Sequence, residues 1–108
     1  MGRRLYSLSV FSMEQAVQLF LKSKLLERGA EFPRTHSVKK LMKLLSEISE
    51  AKCKGRLEEL LKNYALELGT LEDAYITSRY GVRDYEEEEA KRIVSAVKVI
   101  VDGIGEDC

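Results

Sequence analysis

FSMEQAVQLFLKSKLLERG, running from Phe11 to Gly29, decides the fold. Val10, Met13, Val17, Phe20 and Lys24 recur at spacings of three and four, while Phe11, Leu19 and Leu26 widen the apolar arc. That period predicts one helix from about Ser9 to Arg28 with most of its girth covered. Gly29 follows Arg28, which suits a helix end closed by a glycine with a cation in its last turn. Pro33 then restricts Phe32 to extended geometry, so the loop spans Gly29 to Thr35.

Working outward, Thr35 or Ser37 caps a second helix through about Glu50, striped by Val38, Leu41, Met42, Leu45 and Ile48. A polar stretch around Ala51 to Gly55 leads to a third helix carrying Leu57, Leu60, Leu61, Tyr64, Ala65 and Leu68. Gly69 and Thr70 interrupt that stripe, which predicts a kink or restart there and an end near Ser78. The segment Arg79 to Arg83 reads as a turn. Asp84 with Glu87 forms a capping-box-like start for a last helix, buried through Ala90, Ile93, Val94, Val97, Ile100 and Val101, with Gly103 as its stop. The acids Glu86 to Glu89 suit that N-terminus electrostatically, and they point around a helix, not at one ion. The expected fold is all-α, an antiparallel up-and-down bundle of four to five helices in one domain over residues 1–108.

Composition narrows the function. The 108 residues carry 18 basic and 18 acidic side chains. That balance excludes a binder relying on bulk positive charge, though a local basic patch is compatible with it. Apolar runs are short and broken by charges, so a membrane span is not expected and the cytoplasm is the default location. Cys53 and Cys108 lie far apart without partner spacing, and both are taken as ordinary thiols, with Cys108 frayed at the chain end. With His36 the single histidine, no metal or other cofactor is expected.

Three segments in order resemble the HEPN domain family (higher eukaryotes and prokaryotes nucleotide-binding), prokaryotic type: the Phe11–Gly29 stretch, PRTHS from Pro33 to Ser37, and YITSRY from Tyr75 to Tyr80. Gln15 and Ala16, followed by Lys22 and the Leu25, Leu26 pair, match the family's first helix pattern, and Pro-Arg-Thr-His matches the turn into the next. The resemblance implies a bundle of four or five helices, commonly a homodimer, that acts on or near nucleotides or RNA. Many members work with a separately encoded minimal nucleotidyltransferase, and several such pairs behave as toxin and antitoxin. In such pairs the HEPN partner is a metal-independent ribonuclease, and related domains also sit at the end of a chaperone, so a chaperone-like interaction scaffold is a further alternative.

Two departures from the family pattern shape the expectation. Members usually carry a further N-terminal helix, whereas Met1, Gly2 and Arg3 stand where the turn after it belongs; the chain reads as short by one helix, which either a start site placed late explains or dimerisation covers, the oligomer being the favoured expectation. Ribonuclease members place four to six residues between an arginine and a histidine, whereas seven residues separate Arg28 from His36 and one separates Arg34 from it. Binding is accordingly expected over cleavage.

The candidate site joins Arg34, His36, Ser78, Arg79, Tyr80 and Lys22 as nucleotide-binding residues, with His36 and Arg34 as the catalytic pair should the chain be an endoribonuclease. His36 suits proton transfer near neutral pH or a phosphate contact; its plainer role is packing in the turn. Arg34 suits a bidentate phosphate contact or a solvated surface position. Ser78, Arg79 and Tyr80 put a hydroxyl, a guanidinium and a phenol at a helix end, a set that stacks a base and holds a phosphate. Tyr75 reads as core. Lys22, among apolar neighbours, reaches the same cleft or lays its stem along the surface.

Overall fold

The computed structural model describes residues 2–31, 34, 35, 37–80 and 86–108, with backbone alone for 2–8 and 74–80. Five helices account for almost all of these residues, in the order α1 (Gly2–Glu27), α2 (Val38–Ile48), α3 (Ala51–Asn63), α4 (Ala65–Tyr80) and α5 (Glu87–Asp107). Among the described residues there is no strand, and the all-α bundle expected from the periodicity is what forms. At about 1.5 Å per residue, the 26 residues of α1 set the long axis of a body measuring 44 × 25 × 17 Å. α1 packs against α2, α4 and α5, which makes it the central helix.

Among the described side chains, the buried stripe of α1 is Val10, Glu14, Val17, Gln18, Leu21 and Leu25. Leu19 and Leu26 remain 69% and 59% exposed, so they do not widen the apolar arc as expected. Helical geometry gives the reason. At about 100° per residue, Leu19 and Leu26 stand roughly 140–160° around the axis from Leu21, on the far side of the helix. Met13 and Phe20 pack at the margin of the core. The helix also begins at Gly2 rather than near Ser9, so the turn expected at Gly2 and Arg3 is helical backbone.

Its other end follows expectation. Gly29 adopts φ +73°. Its N–H donates to the Leu26 carbonyl at 2.9 Å, and the Ala30 N–H reaches back to Leu25 at 3.1 Å. This pair of bonds is a Schellman cap, and it requires the left-handed conformation that glycine adopts without a steric penalty. Gly29→Ala is expected to lower stability by about 1 kcal/mol, measured by urea unfolding; an unchanged midpoint would sink the assignment.

Elsewhere the helix limits move for local reasons. The break expected at Gly69 and Thr70 lies instead at Tyr64, whose φ of −117° and ψ of 26° separate α3 from α4. Thr70 stays inside α4 because its hydroxyl donates to the Leu66 carbonyl at 3.1 Å, the internal bond by which threonine is tolerated in a helix. α3 begins at Ala51, ahead of the polar linker expected to precede it, and α2 stops at Ile48, which is 42% exposed and so leaves the core stripe. Gly103 does not end α5. A Cβ at that position would stand 3.4 Å from Arg56 Cδ and 3.5 Å from Leu60 Cδ1, so the glycine marks a close approach of α3 to α5. Val94 is 44% exposed, whereas Ala96 joins Ile93, Val97, Ile100 and Ile104 inside. The capping role expected of Asp84 falls outside the described residues, and Glu86 is the N-cap of α5 without a side-chain cap bond.

Cys53 and Cys108 are joined by a disulfide, with Cα atoms 4.8 Å apart. This corrects the reading of both as ordinary thiols and of Cys108 as frayed. The pairing follows from the antiparallel run of α3 beside α5: Leu60 meets Gly103, Arg56 meets Asp107, and the next contact along brings Cys53 to Cys108. Sequence separation of 55 residues hides that neighbourhood.

Candidate functional site

The turn that carries Arg34 leads directly into α2, and it is fixed from two sides. Thr35 Oγ1 accepts from the Ser37 N–H at 3.1 Å, and Ser37 Oγ accepts from the Lys40 N–H at 3.2 Å as the N-cap of α2. From α4, Glu72 Oε1 accepts from the Ser37 hydroxyl and from the Lys39 N–H at 3.1 Å. A carboxylate at a helix N-terminus both satisfies free N–H groups and complements the helix dipole. Glu72 therefore pins α4 to the first turn of α2, beside the PRTHS segment. Nothing local in sequence marks it, because its partners lie more than thirty residues away.

Of the expected site residues, Arg34 is exposed at that turn and Lys22 is half-buried on α1. His36 lies outside the described residues. Ser78, Arg79 and Tyr80 form the last positions of the α4 backbone, and their side chains are likewise outside the description, as is that of Tyr75. At backbone level, α4 carries Glu72 at the PRTHS turn and the YITSRY positions in its next turns. The structure thus ties one of the two motif segments to the helix bearing the other.

Arg28, the alternative partner for His36, is held elsewhere. Its Nη2 donates to the Cys108 carbonyl at 2.8 Å and stands 3.9 Å from Cys53 Sγ, while Nη1 donates to the Lys24 carbonyl at 3.4 Å. These contacts anchor it where α1, α3 and α5 meet.

A buried polar pair was missed from sequence. Glu14 is fully buried and Gln18 is 4% exposed, on the same stripe of α1 as Val17 and Leu21. Both Gln18 Nε2 and Gln15 Nε2 donate to the Glu14 carboxylate, the latter at 2.7 Å. Burying a carboxylate is costly unless hydrogen bonds meet it. The available signal was a glutamate placed four residues after Val10 and seven before Leu21, in register with the core.

Where α3 begins and α5 ends, beside the Cys53–Cys108 bond, Asp107 accepts from Arg56 Nε and lies 3.5 Å from Lys52 Nζ. The Arg56 hydrogen bond holds the Asp107 carboxyl below its ordinary value, against the opposing effect of burial, with the charges of Arg56 and Lys52 adding to it. A carboxylate depressed in the folded state stabilises the fold above its unfolded value, and that contribution disappears as pH falls through the folded value. Wild type is therefore expected to melt above Asp107→Asn at neutral pH, with the gap closing as the pH drops below about 4. A gap that stays constant into acid would refute this role for Asp107.

Taken together, a central α1, a capped turn into α2 clamped by α4, and a long α5 with an acidic start define an all-α bundle. The chain belongs to the HEPN domain family: the family model matches residues 1–106. Membership supports a nucleotide- or RNA-related function in general terms. No curated protein and no solved structure matches the chain. Among the described residues, no helix is long and apolar enough to cross a membrane.

Proposed function

We propose that the chain is a nucleotide- or RNA-binding HEPN module that acts in the cytoplasm with a separately encoded minimal nucleotidyltransferase, as one half of a toxin–antitoxin-like pair. The observation that carries this reading is the family match over residues 1–106. Arg34, His36, Ser78, Arg79, Tyr80 and Lys22 are its proposed binding set, supported by the bonds that Glu72, on the helix that carries the YITSRY positions, accepts from the Ser37 hydroxyl and the Lys39 N–H at the start of α2. Binding is favoured over cleavage because Arg28 is committed to the Cys108 carbonyl, leaving Arg34, separated from His36 by one residue, as the remaining partner from the turn.

The module acts as a homodimer. Leu19 and Leu26 lie seven residues apart on one exposed side of α1, and such a pair is suited to burial against a second copy.

The test is a melting assay with ATP, GTP and short RNA, alongside co-purification with the product of the adjacent gene. Nucleotide or RNA is expected to raise the Tm. Arg79→Ala is expected to weaken binding by roughly tenfold or more, since a hydrogen bond to a charged group contributes about 1.5–3 kcal/mol. A dimer indifferent to every nucleotide and RNA overturns the proposal in favour of a scaffold. Metal-independent RNA cleavage abolished by His36→Ala overturns it in favour of a ribonuclease.

A further inference from the structure

The C-terminal ends of α1, α2 and α5 converge with the N-terminus of α3 around a cavity of about 390 Å³. Arg28, Ser49 and the Cys53–Cys108 disulfide line it. The two sulfurs stand in different settings. Cys53 is 2% exposed and sits in the first turn of α3, whose N-cap Glu50 makes no side-chain cap bond. The Arg28 guanidinium lies 3.9 Å from its sulfur. Cys108 is half-buried and faces the cavity.

We propose that Cys53 and Cys108 form a thiol–disulfide exchange pair for low-molecular-weight thiols, in which the cavity admits the small thiol, Cys108 is the sulfur attacked and Cys53 is the leaving group. A cavity of this size lies within the range that holds a small ligand. Exchange requires access to the attacked sulfur and a stabilised leaving thiolate. Cys108 meets the first condition. Cys53 meets the second, because a helix N-terminus and a neighbouring arginine both favour the thiolate over the thiol. The remaining charges at the cavity are accounted for: Asp107 is engaged by Arg56 and Lys52, and Glu50 is exposed.

The chemistry balances without a further reactant. A thiolate RS⁻ forms a bond to Cys108 Sγ as the Cys53–Cys108 bond breaks, and its electron pair leaves on Cys53 as a thiolate. A second RS⁻ attacks the sulfur of the captured thiol, releasing RSSR and the Cys108 thiolate. Two electrons pass from two thiols to the protein, and the two protein thiolates take up protons according to pH. In reverse, a small disulfide is attacked by Cys108, and Cys53 then displaces RS⁻ from the mixed disulfide.

The experiment treats oxidised full-length protein with reduced glutathione, quenches by alkylation, and maps the adduct by mass spectrometry. Glutathione is expected on Cys108 with the alkyl label on Cys53. In the oxidative direction, pre-reduced Cys53→Ser is expected to retain glutathione at Cys108, whereas Cys108→Ser should react on the order of tenfold more slowly because its thiol is buried. Arg28→Gln should slow reduction of the disulfide while leaving the adduct on Cys108. Glutathione mapped to Cys53, equal capture by the two single variants, or an air-oxidised protein linked only between chains overturns the proposal. The wild-type mapping decides the order of attack even where a variant does not fold.

Discussion

Leu21→Ala is expected to lower the folding free energy by about 3–5 kcal/mol, the upper part of the range for removing a buried leucine side chain. Leu21 is fully buried in the C-terminal half of the α1 stripe, between Val17 and Leu25 in sequence. α1 packs against three other helices, so the vacated volume cannot be closed by the shift of a single neighbour. A domain of 108 residues has a total stability on the order of 5–15 kcal/mol. Loss of this one side chain therefore consumes a large fraction of it. Leu19→Ala provides the contrast: the same chemical change two residues away should cost less than about 1 kcal/mol in the monomer, because Leu19 is 69% exposed. Denaturant titration of the two variants tests the pair. Similar losses at Leu19 and Leu21 would show that the buried face of α1 has been misplaced.

That contrast also shows what the sequence discloses and what it conceals. The helices of the bundle are legible because each carries apolar residues at spacings of three and four, and because Gly29, Ser37 and the Glu87–Glu89 run mark ends by local chemistry. The rotation of α1 is less legible. Its leucines and phenylalanines surround most of the helix, so composition alone does not separate Leu21 from Leu19, and the decision is made by which side α2, α4 and α5 occupy. Gly69, Thr70 and Gly103 mislead because the effect of a breaker residue depends on its neighbours in the folded chain: Thr70 finds an internal partner and Gly103 serves contact with α3.

For the candidate site, the PRTHS turn is recognisable from Pro33 and its capping serine. The carboxylate that fixes that turn is not, since Glu72 becomes its neighbour only when α4 packs beside α2. Arg28 makes the same point in reverse: a spacing count offers it to His36, and tertiary structure assigns it to Cys108. Pairwise contacts across 35, 55 or 80 residues are set by the packing of whole helices, and local patterns do not encode them.

Removing the disulfide is expected to cost about 2–4 kcal/mol, which for a domain of this size lowers the Tm on the order of 10 °C or more. The bond links residues 55 apart in sequence, and in the chain-entropy picture closing a loop of that length restricts the unfolded ensemble by about 4 kcal/mol. The native side of the balance should change less. Arg56 and Lys52 still hold Asp107, and Leu57, Leu60, Ile100 and Ile104 still bury against the same core after the sulfurs separate. Reductant should consequently lower the midpoint of wild type while far-UV helix content below the transition stays near its oxidised value. The Cys53→Ser, Cys108→Ser double variant should match reduced wild type and should not respond to reductant. Equal stability of oxidised and reduced wild type would remove the disulfide from the account of how α3 and α5 are held together. A reduced protein that loses helix content before the transition would instead place its effect in the native state, with the terminal turns of α5 depending on Cys53 for their position.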